Sequence, residues 1–210
     1  MLIVPGAGVR AYVEPAADGV RGRRIDVELL PAPGLAGAPA DLRRYGEVLA
    51  DRLRAGPPVD LLVGLSVGAQ AAAVAAACAV GRIRQLVLVS PTVDPTVRTA
   101  HELLARWLAA GRREPARLLL DQAPDWRRAG ARSLARVVRS ALAVRIEDEA
   151  LDVARLTVVH AEHDAITSHT YAAALAAAYS GRLLVVPAAV HSWPYQDAGR
   201  FADVVGELLA

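Results

Sequence analysis

The most constraining feature of this chain is a G-x-S-x-G pentapeptide, Gly64–Gly68, that joins an apolar run to an alanine-rich run. Val59–Val63 has the length and composition of a buried parallel strand, and Val67–Val80 those of a helix packed on a sheet. A serine between two such elements lies on a sharp strand-to-helix turn, where flanking glycines avoid collision with the tightened chain. We therefore expect this turn to lift the Ser66 hydroxyl off the end of a sheet.

The rest of the chain alternates strand-like and helix-like segments, which is typical of a parallel sheet with helices on both faces. A length of 210 residues is sufficient for one domain with a full core. We predict strands at residues 2–4, 25–30, 59–63, 86–89, 156–160 and 183–186, and helices at residues 41–54, 67–80, 171–179 and 201–209.

The pattern changes between residues 92 and 152, where arginine-rich amphipathic helical patterns replace the strand-like runs. A helical segment between two predicted strands is expected to be an insertion over the sheet rather than a separate domain. We therefore assign residues 1–91 and 153–210 to an α/β core and residues 92–152 to a helical cap. The apolar faces of the cap contain Leu103, Leu104, Trp107 and Leu108, and then Leu134, Val137, Val138, Ala141 and Leu142.

Composition narrows the class of protein. Apolar residues make up 54% of the chain, which argues against disorder, and a formal net charge of +2 does not indicate a nucleic-acid partner. Cys78 is the only cysteine, so no intrachain disulfide can form. The apolar run at residues 67–80 is shorter than a membrane span, and the N-terminal stretch lacks a basic leader. These features predict a cytoplasmic protein without a membrane span, and they leave its oligomeric state open.

Two further residues have the chemistry and the position to activate Ser66. A serine hydroxyl needs a base, usually histidine, and a carboxylate that fixes the histidine tautomer. In open parallel sheets such groups lie on loops at the carboxyl ends of strands. His191 follows the last predicted strand and Asp164 the strand before it, which gives the chain order expected of a triad on this kind of sheet. A surface histidine and a helix-capping aspartate are the plainer interpretations.

Other titratable residues offer alternatives. Asp94 follows the strand before the cap and could replace Asp164 as the acid, although its two flanking prolines are equally typical of a rigid turn. His160, His163 and His169 lie close together in sequence and could suggest a metal site. No cysteine or suitably spaced carboxylate accompanies them, so we predict neither a metal nor a cofactor.

Acyl transfer also requires donors for a developing oxyanion. The main-chain N–H of Val67, directly after Ser66, is one candidate. The glycine-containing loop Pro5–Gly8 after the first strand offers the second, with Ala7 as the expected donor. An ordinary turn or a phosphate loop would also contain glycines. The phosphate loop is disfavoured because the chain has no lysine and because Ala11 occupies the third glycine position.

Together these motifs resemble those of the α/β-hydrolase superfamily, in particular its small capped members. The family usually begins with two additional antiparallel strands, whereas this chain starts directly at the strand before the Pro5–Gly8 loop. The resemblance therefore implies an α/β-hydrolase fold with about six mostly parallel strands and a helical cap. Pro5 stands where the family often has histidine, and Ala161 where its acid loop often has glycine. The resemblance covers nearly the whole chain and is carried by Val4–Gly8, Gly64–Gly68, Leu86–Pro91, His160–Asp164 and Val186–His191.

The resemblance implies a serine hydrolase of the carboxylesterase or thioesterase kind. Ser66 would be the nucleophile, His191 the base and Asp164 its orienting acid, with the N–H groups of Ala7 and Val67 as the oxyanion hole. The substrate is expected to be a small to medium, partly apolar ester or thioester, a free small molecule or a carrier-linked acyl group.

Two other functions stay open. The same three residues serve carbon–carbon bond hydrolases and cofactor-free lyases or perhydrolases, and a non-catalytic ligand-binding protein could use the same scaffold. An aspartate in place of Ser66 would indicate an epoxide or haloalkane hydrolase, and this chain has serine there. The candidate pocket residues are Leu103, Trp107 and Trp126 from the cap and Trp193 after His191, although each could equally pack in a core.

Overall fold

A computed structural model describes residues 1–35, 37–97 and 99–210. Its strands are β1 (Leu2–Val4), β2 (Glu28–Leu29), β3 (Val59–Leu65), β4 (Ile83–Val89), β5 (Arg155–Ala161) and β6 (Arg182–Val186). They form one sheet in the order β2-β1-β3-β4-β5-β6, and each neighbouring pair is parallel. The predicted six-stranded parallel sheet is therefore confirmed.

The helices connect these strands and cover both faces of the sheet. In chain order they are α1 (Glu14–Gly22), α2 (Leu42–Ala55), α3 (Val67–Cys78), α4 (Ala100–Gly111), α5 (Ala116–Ala129), α6 (Ala131–Ala143), α7 (His169–Ala178), α8 (Trp193–Gln196) and α9 (Ala198–Leu209). Within the described part of the chain, none of them is long and apolar enough to cross a membrane.

The core has two layers because successive strand side chains point to opposite faces. Burial on both faces explains why the strands are continuous apolar runs rather than alternating ones. Leu62, Leu86, Leu88 and Val158 pack with α2, α3 and α7 on one face, and Leu61, Val63, Val87 and Val159 pack with α1 and α9 on the other.

The structure differs from the predicted elements near the N-terminus. The edge strand β2 is limited to Glu28–Leu29 because β1, the neighbour with which it pairs, has only three residues. The helix α1 was not predicted, since its two glycines and its proline hide the apolar period. Pro15 is tolerated because it lies in the first turn, and Ala16, Ala17 and Val20 bury one face of the helix.

Three helices, α4 to α6, lie between β4 and β5, where the sequence predicts a helical insertion. We call them the inserted helices. Thr99 begins α4 with a capping box to Glu102, and Gly130, at a φ of 76°, joins α5 to α6. Hydrogen bonds connect α6 to α2 and α3 of the core. The main-chain N–H of Leu42 in α2 donates to Ser140 Oγ, and Gln70 Nε2 in α3 donates to the carbonyl of Ala141.

Candidate active site

Ser66 lies between β3 and α3 with a φ of 55° and a ψ of −123°, a conformation that residues with a Cβ rarely adopt. The two glycines of the pentapeptide make this turn possible. A Cβ added to Gly64 would lie 2.6 Å from Ala69 Cα, and one added to Gly68 would collide with the carbonyl oxygen of Val4. The strained turn that the sequence predicts is therefore present, and glycine is required on both sides of it.

The structure brings Ser66, His191 and Asp164 together from loops after β3, β6 and β5. Ser66 Oγ lies 3.1 Å from His191 Nε2. His191 Nδ1 lies 3.0 Å and 2.9 Å from the two carboxylate oxygens of Asp164. Asp164 is itself fixed, because its Oδ1 accepts the main-chain N–H groups of Ile166 and Thr167 at 2.8 and 3.0 Å. A continuous hydrogen-bonded series thus runs from the serine hydroxyl to a buried carboxylate.

Electrostatics within this series favour a charged carboxylate beside a basic imidazole. Burial alone would raise the pKa of Asp164, but the neighbouring His191 ring and the donors to the carboxylate outweigh it and lower that pKa. Burial alone would lower the pKa of His191, but the Asp164 carboxylate outweighs it and raises that pKa. Because Asp164 is an acceptor, the neutral ring carries its proton on Nδ1 and leaves Nε2 free to accept from Ser66.

Two main-chain donors lie where an oxyanion could form. Val67 is the first residue of α3, so its N–H is one of the unpaired donors at a helix N-terminus. Ala7 lies in the loop Pro5–Ala11, which we call the β1 loop. Within the described ranges, neither N–H donates to another residue. Both residues border the same cavity as Ser66.

A cavity of about 680 Å³ opens on Ser66 and His191. Of the four predicted pocket residues, Leu103, Trp107 and Trp126 line it, and the two tryptophan rings meet edge to face with centroids 5.4 Å apart. Other apolar lining residues are Leu104, Leu118, Leu119, Leu134, Val138, Leu142 and Ile166.

The prediction that Trp193 lines the pocket is not supported. As the first residue of α8, Trp193 turns into the core, where it is 3% exposed and its ring centroid lies 5.6 Å from that of Phe201. The alternative interpretation, a core tryptophan, describes this residue.

Among the residues that were not predicted, three contribute polar groups at the site or beside it. Tyr12 is buried and lines the cavity, and burial raises the pKa of its hydroxyl, which therefore stays protonated at neutral pH. Glu114 also lines the cavity and accepts the main-chain N–H of Ser192 at 3.1 Å. Asp125 accepts hydrogen bonds from the β1 loop. No local motif marks Glu114 and Asp125, because each accepts hydrogen bonds from a segment distant in sequence.

The alternative acid, Asp94, lies in a different network. It accepts hydrogen bonds from the main chain of Thr96 at 2.9 Å and from Ser168 Oγ at 2.5 Å, and Arg106 lies 3.4 Å away. Burial alone would raise the pKa of Asp94, but these partners lower it to about 2. The carboxylate that contacts His191 is therefore that of Asp164.

Two of the three neighbouring histidines form an aromatic pair. The rings of His160 and His169 meet edge to face with centroids 5.3 Å apart, and burial lowers the pKa of His160. Across residues 1–35, 37–97 and 99–210, no group of three or more histidine, cysteine, aspartate or glutamate side chains is arranged to hold a metal ion.

The chain belongs to the alpha/beta hydrolase family, whose sequence profile matches residues 1–204. No curated protein is significantly similar to it in sequence. Among solved structures, the chain is similar to a hydrolase from Pseudomonas aeruginosa PA01, with a TM-score of 0.74 and 20% identity over 100% of this chain and 89% of the other.

Two further solved structures with a similar fold are enzymes of named activity. One is E-2-(acetamidomethylene)succinate hydrolase, with a TM-score of 0.75 and 18% identity over 100% of this chain and 90% of the other. The second is the enol-lactonase from Burkholderia xenovorans LB400, with a TM-score of 0.72 and 17% identity over 99% and 90%. At these identities the likeness concerns the fold.

Proposed function

We propose that this alpha/beta hydrolase is a serine hydrolase that cleaves a small to medium, partly apolar ester through an acyl-enzyme. One observation carries the proposal: the hydrogen-bonded series Ser66–His191–Asp164 ends with the serine hydroxyl at the wall of an apolar cavity. A hydroxyl activated in this way is the nucleophile that acyl transfer requires.

The reaction follows from the donors and acceptors of the site. Ser66 Oγ attacks the ester carbonyl carbon while its proton passes to His191 Nε2, and Asp164 stabilises the imidazolium that forms. The carbonyl oxygen, now negative, accepts the N–H groups of Ala7 and Val67. His191 returns the proton to the leaving alkoxide, which gives the free alcohol and an acyl-Ser66. Water then attacks the acyl group with His191 again as base, and the acid and free Ser66 are released.

The cavity supports a partly apolar substrate. Its volume of about 680 Å³ falls within the range of about 300–1,000 Å³ that is typical of small-molecule sites. The inserted helices supply most of its apolar wall, so we propose that they act as the cap over the site. The similar fold of the Burkholderia enol-lactonase, whose substrate is an ester by name, agrees with ester cleavage.

The test is hydrolysis of para-nitrophenyl esters from acetate to octanoate. Wild-type protein should release nitrophenol with a pre-steady-state burst of up to one equivalent, because an activated aryl ester should acylate Ser66 faster than water removes the acyl group. Ser66→Ala should abolish both the burst and the turnover. Ser180→Ala is the matched control, since Ser180 also has a positive φ but is exposed in the turn before β6. Equal turnover by Ser66→Ala and wild type would contradict the proposal.

A thioester is the second candidate substrate, and the charge of the inserted helices favours it. Residues 100–143 contain nine arginines and only four acidic residues, although the whole chain is nearly neutral. Arg112, Arg113 and Arg139 are exposed and form no ion pair with a described acid. Such a positively charged surface would attract a thioester whose thiol carrier is negatively charged. Butyryl-coenzyme A should then have a higher kcat/KM than para-nitrophenyl butyrate. The ratio of the two kcat/KM values should fall as the salt concentration is raised.

The remaining hypotheses predict different results in the same assays. A carbon–carbon bond hydrolase would cleave a vinylogous diketone and leave esters and thioesters intact. A ligand-binding protein would turn over none of these compounds and would show no burst.

A further inference from the structure

The β1 loop is held from outside the sheet, by the inserted helices. Asp125 of α5 accepts the main-chain N–H groups of Arg10 and Ala11 on one carboxylate oxygen, Oδ2, at 2.8 and 2.9 Å. The next residue of α5, Trp126, donates from Nε1 to the carbonyl of Ala7 at 3.4 Å. Two consecutive helix residues therefore contact the β1 loop at Ala7 and at its C-terminal end.

The Asp125 side chain is buried in this contact between α5 and the β1 loop. It is 7% exposed, and its second oxygen, Oδ1, accepts from Arg128 at 2.6 Å. Hydrogen bonds from N–H groups to a carboxylate are stronger than those between neutral groups. Because two successive N–H groups converge on one oxygen, the directions of both peptide planes are fixed.

The packing around the loop restricts it further. Gly8 has a φ of 57°, and a Cβ added there would lie 2.5 Å from Leu134 Cδ2 of α6. The N–H of Gly8 donates to the carbonyl of Pro33 at 2.8 Å. The loop between β1 and Tyr12 is thus enclosed by α5, α6 and the segment after β2.

From these contacts we propose that Asp125 is a positioning residue, through which the inserted helices hold the β1 loop so that the Ala7 N–H faces the developing oxyanion. This inference rests on the proposed function. It assigns the inserted helices a second role besides lining the cavity: the oxyanion site is complete only while α5 is seated on the core.

The consequence for catalysis is specific. Asp125 touches neither the cavity nor Ser66, so its loss should leave substrate binding nearly unchanged and should weaken the transition state. Complete removal of an oxyanion donor lowers kcat by about 10²- to 10³-fold, and a shift of about 1 Å can cost about 100-fold. A displaced Ala7 N–H should therefore lower kcat by about 10- to 100-fold.

The experiment measures para-nitrophenyl butyrate hydrolysis and inhibition by trifluoromethyl hexyl ketone for wild type, Asp125→Ala and Asp125→Asn. The ketone adds to Ser66 and places an oxyanion where the transition state has one. Asp125→Ala should lower kcat about 10- to 100-fold with KM within about threefold, and should weaken ketone binding by a similar factor. Asp125→Asn keeps an oxygen acceptor but not its charge, so both effects should be about 3- to 10-fold.

Arg128→Ala is the matched control, because it removes the exposed partner and leaves the carboxylate on the β1 loop. Its kcat should stay within about threefold of wild type, as for an exposed ion pair. If Asp125→Ala fails to fold, Asp125→Asn tests the proposal instead. Its kcat and its affinity for the ketone should both fall, and by similar factors.

The outcomes separate the two proposals. A wild-type kcat in the folded Asp125 variants, or a loss confined to KM, would overturn the positioning role alone. Wild-type protein without turnover that depends on Ser66 would overturn the proposed function, and the positioning role with it.

Discussion

Replacement of Gly68 by alanine should destabilise the fold, although alanine is the better helix former. Gly68 lies in the first turn of α3, and an added Cβ would collide with the carbonyl oxygens of Val4 and Pro5 at the end of β1. Overpacking of this kind costs about 1–3 kcal/mol, and main-chain oxygens cannot retreat as a flexible side chain can. The cost should therefore lie at the upper end of this range, about 3 kcal/mol. Gly→Ala within a helix returns at most about 1 kcal/mol, so we expect stability to fall by about 2 kcal/mol.

Thermal unfolding followed by circular dichroism measures this loss. For a chain of this length about 2 kcal/mol corresponds to a fall in Tm of roughly 4–8 °C. The matched control is Gly206→Ala in α9, because a Cβ there meets no atom within 4 Å. The same substitution at Gly206 should raise stability by about 0.5–1 kcal/mol. A Tm for Gly68→Ala equal to or above that of wild type would refute the explanation of why the turn at Ser66 requires glycine.

Three further predictions concern the site. The raised pKa of His191 means that kcat/KM should be lost as pH falls through a value above the usual histidine pKa of about 6.5, because the protonated ring cannot act as a base. Glu114→Gln removes a negative charge that helps to raise the pKa of His191. In a pH–rate profile the loss of kcat/KM should therefore occur at a lower pH than in wild type, and a shift to higher pH would contradict this. Asp164→Asn should lower kcat by about 10³- to 10⁴-fold in ester assays, whereas Asp94→Asn should leave kcat within about tenfold of wild type. Trp107→Ala should raise KM for octanoate esters more than for acetate esters, and equal changes would show that the ring does not contact the acyl chain.

The parts of the fold that the sequence predicted are those with strong local rules. Apolar runs on a doubly covered sheet identified the buried strands, and the pentapeptide identified the turn around Ser66. His191 and Asp164 could be found because a parallel sheet brings the carboxyl ends of its strands to one edge. These inferences need only the order of elements along the chain.

The parts that escaped prediction depend on long-range packing. Glu114 contacts Ser192 across 78 positions, and Asp125 contacts Arg10 across 115, so no local pattern connects them. Trp193 shows the opposite difficulty: it lies two residues after His191, yet the start of α8 directs its ring into the core. Proximity along the chain does not determine the direction of a side chain when a helix begins in between.

The central claim, that Ser66 is an activated nucleophile, is tested most directly by a fluorophosphonate probe with intact-mass detection. We predict one adduct on the wild-type protein and none on Ser66→Ala. Circular dichroism should show that both proteins are folded. An unlabelled, folded wild-type protein, or an adduct that persists on Ser66→Ala, would contradict the central claim.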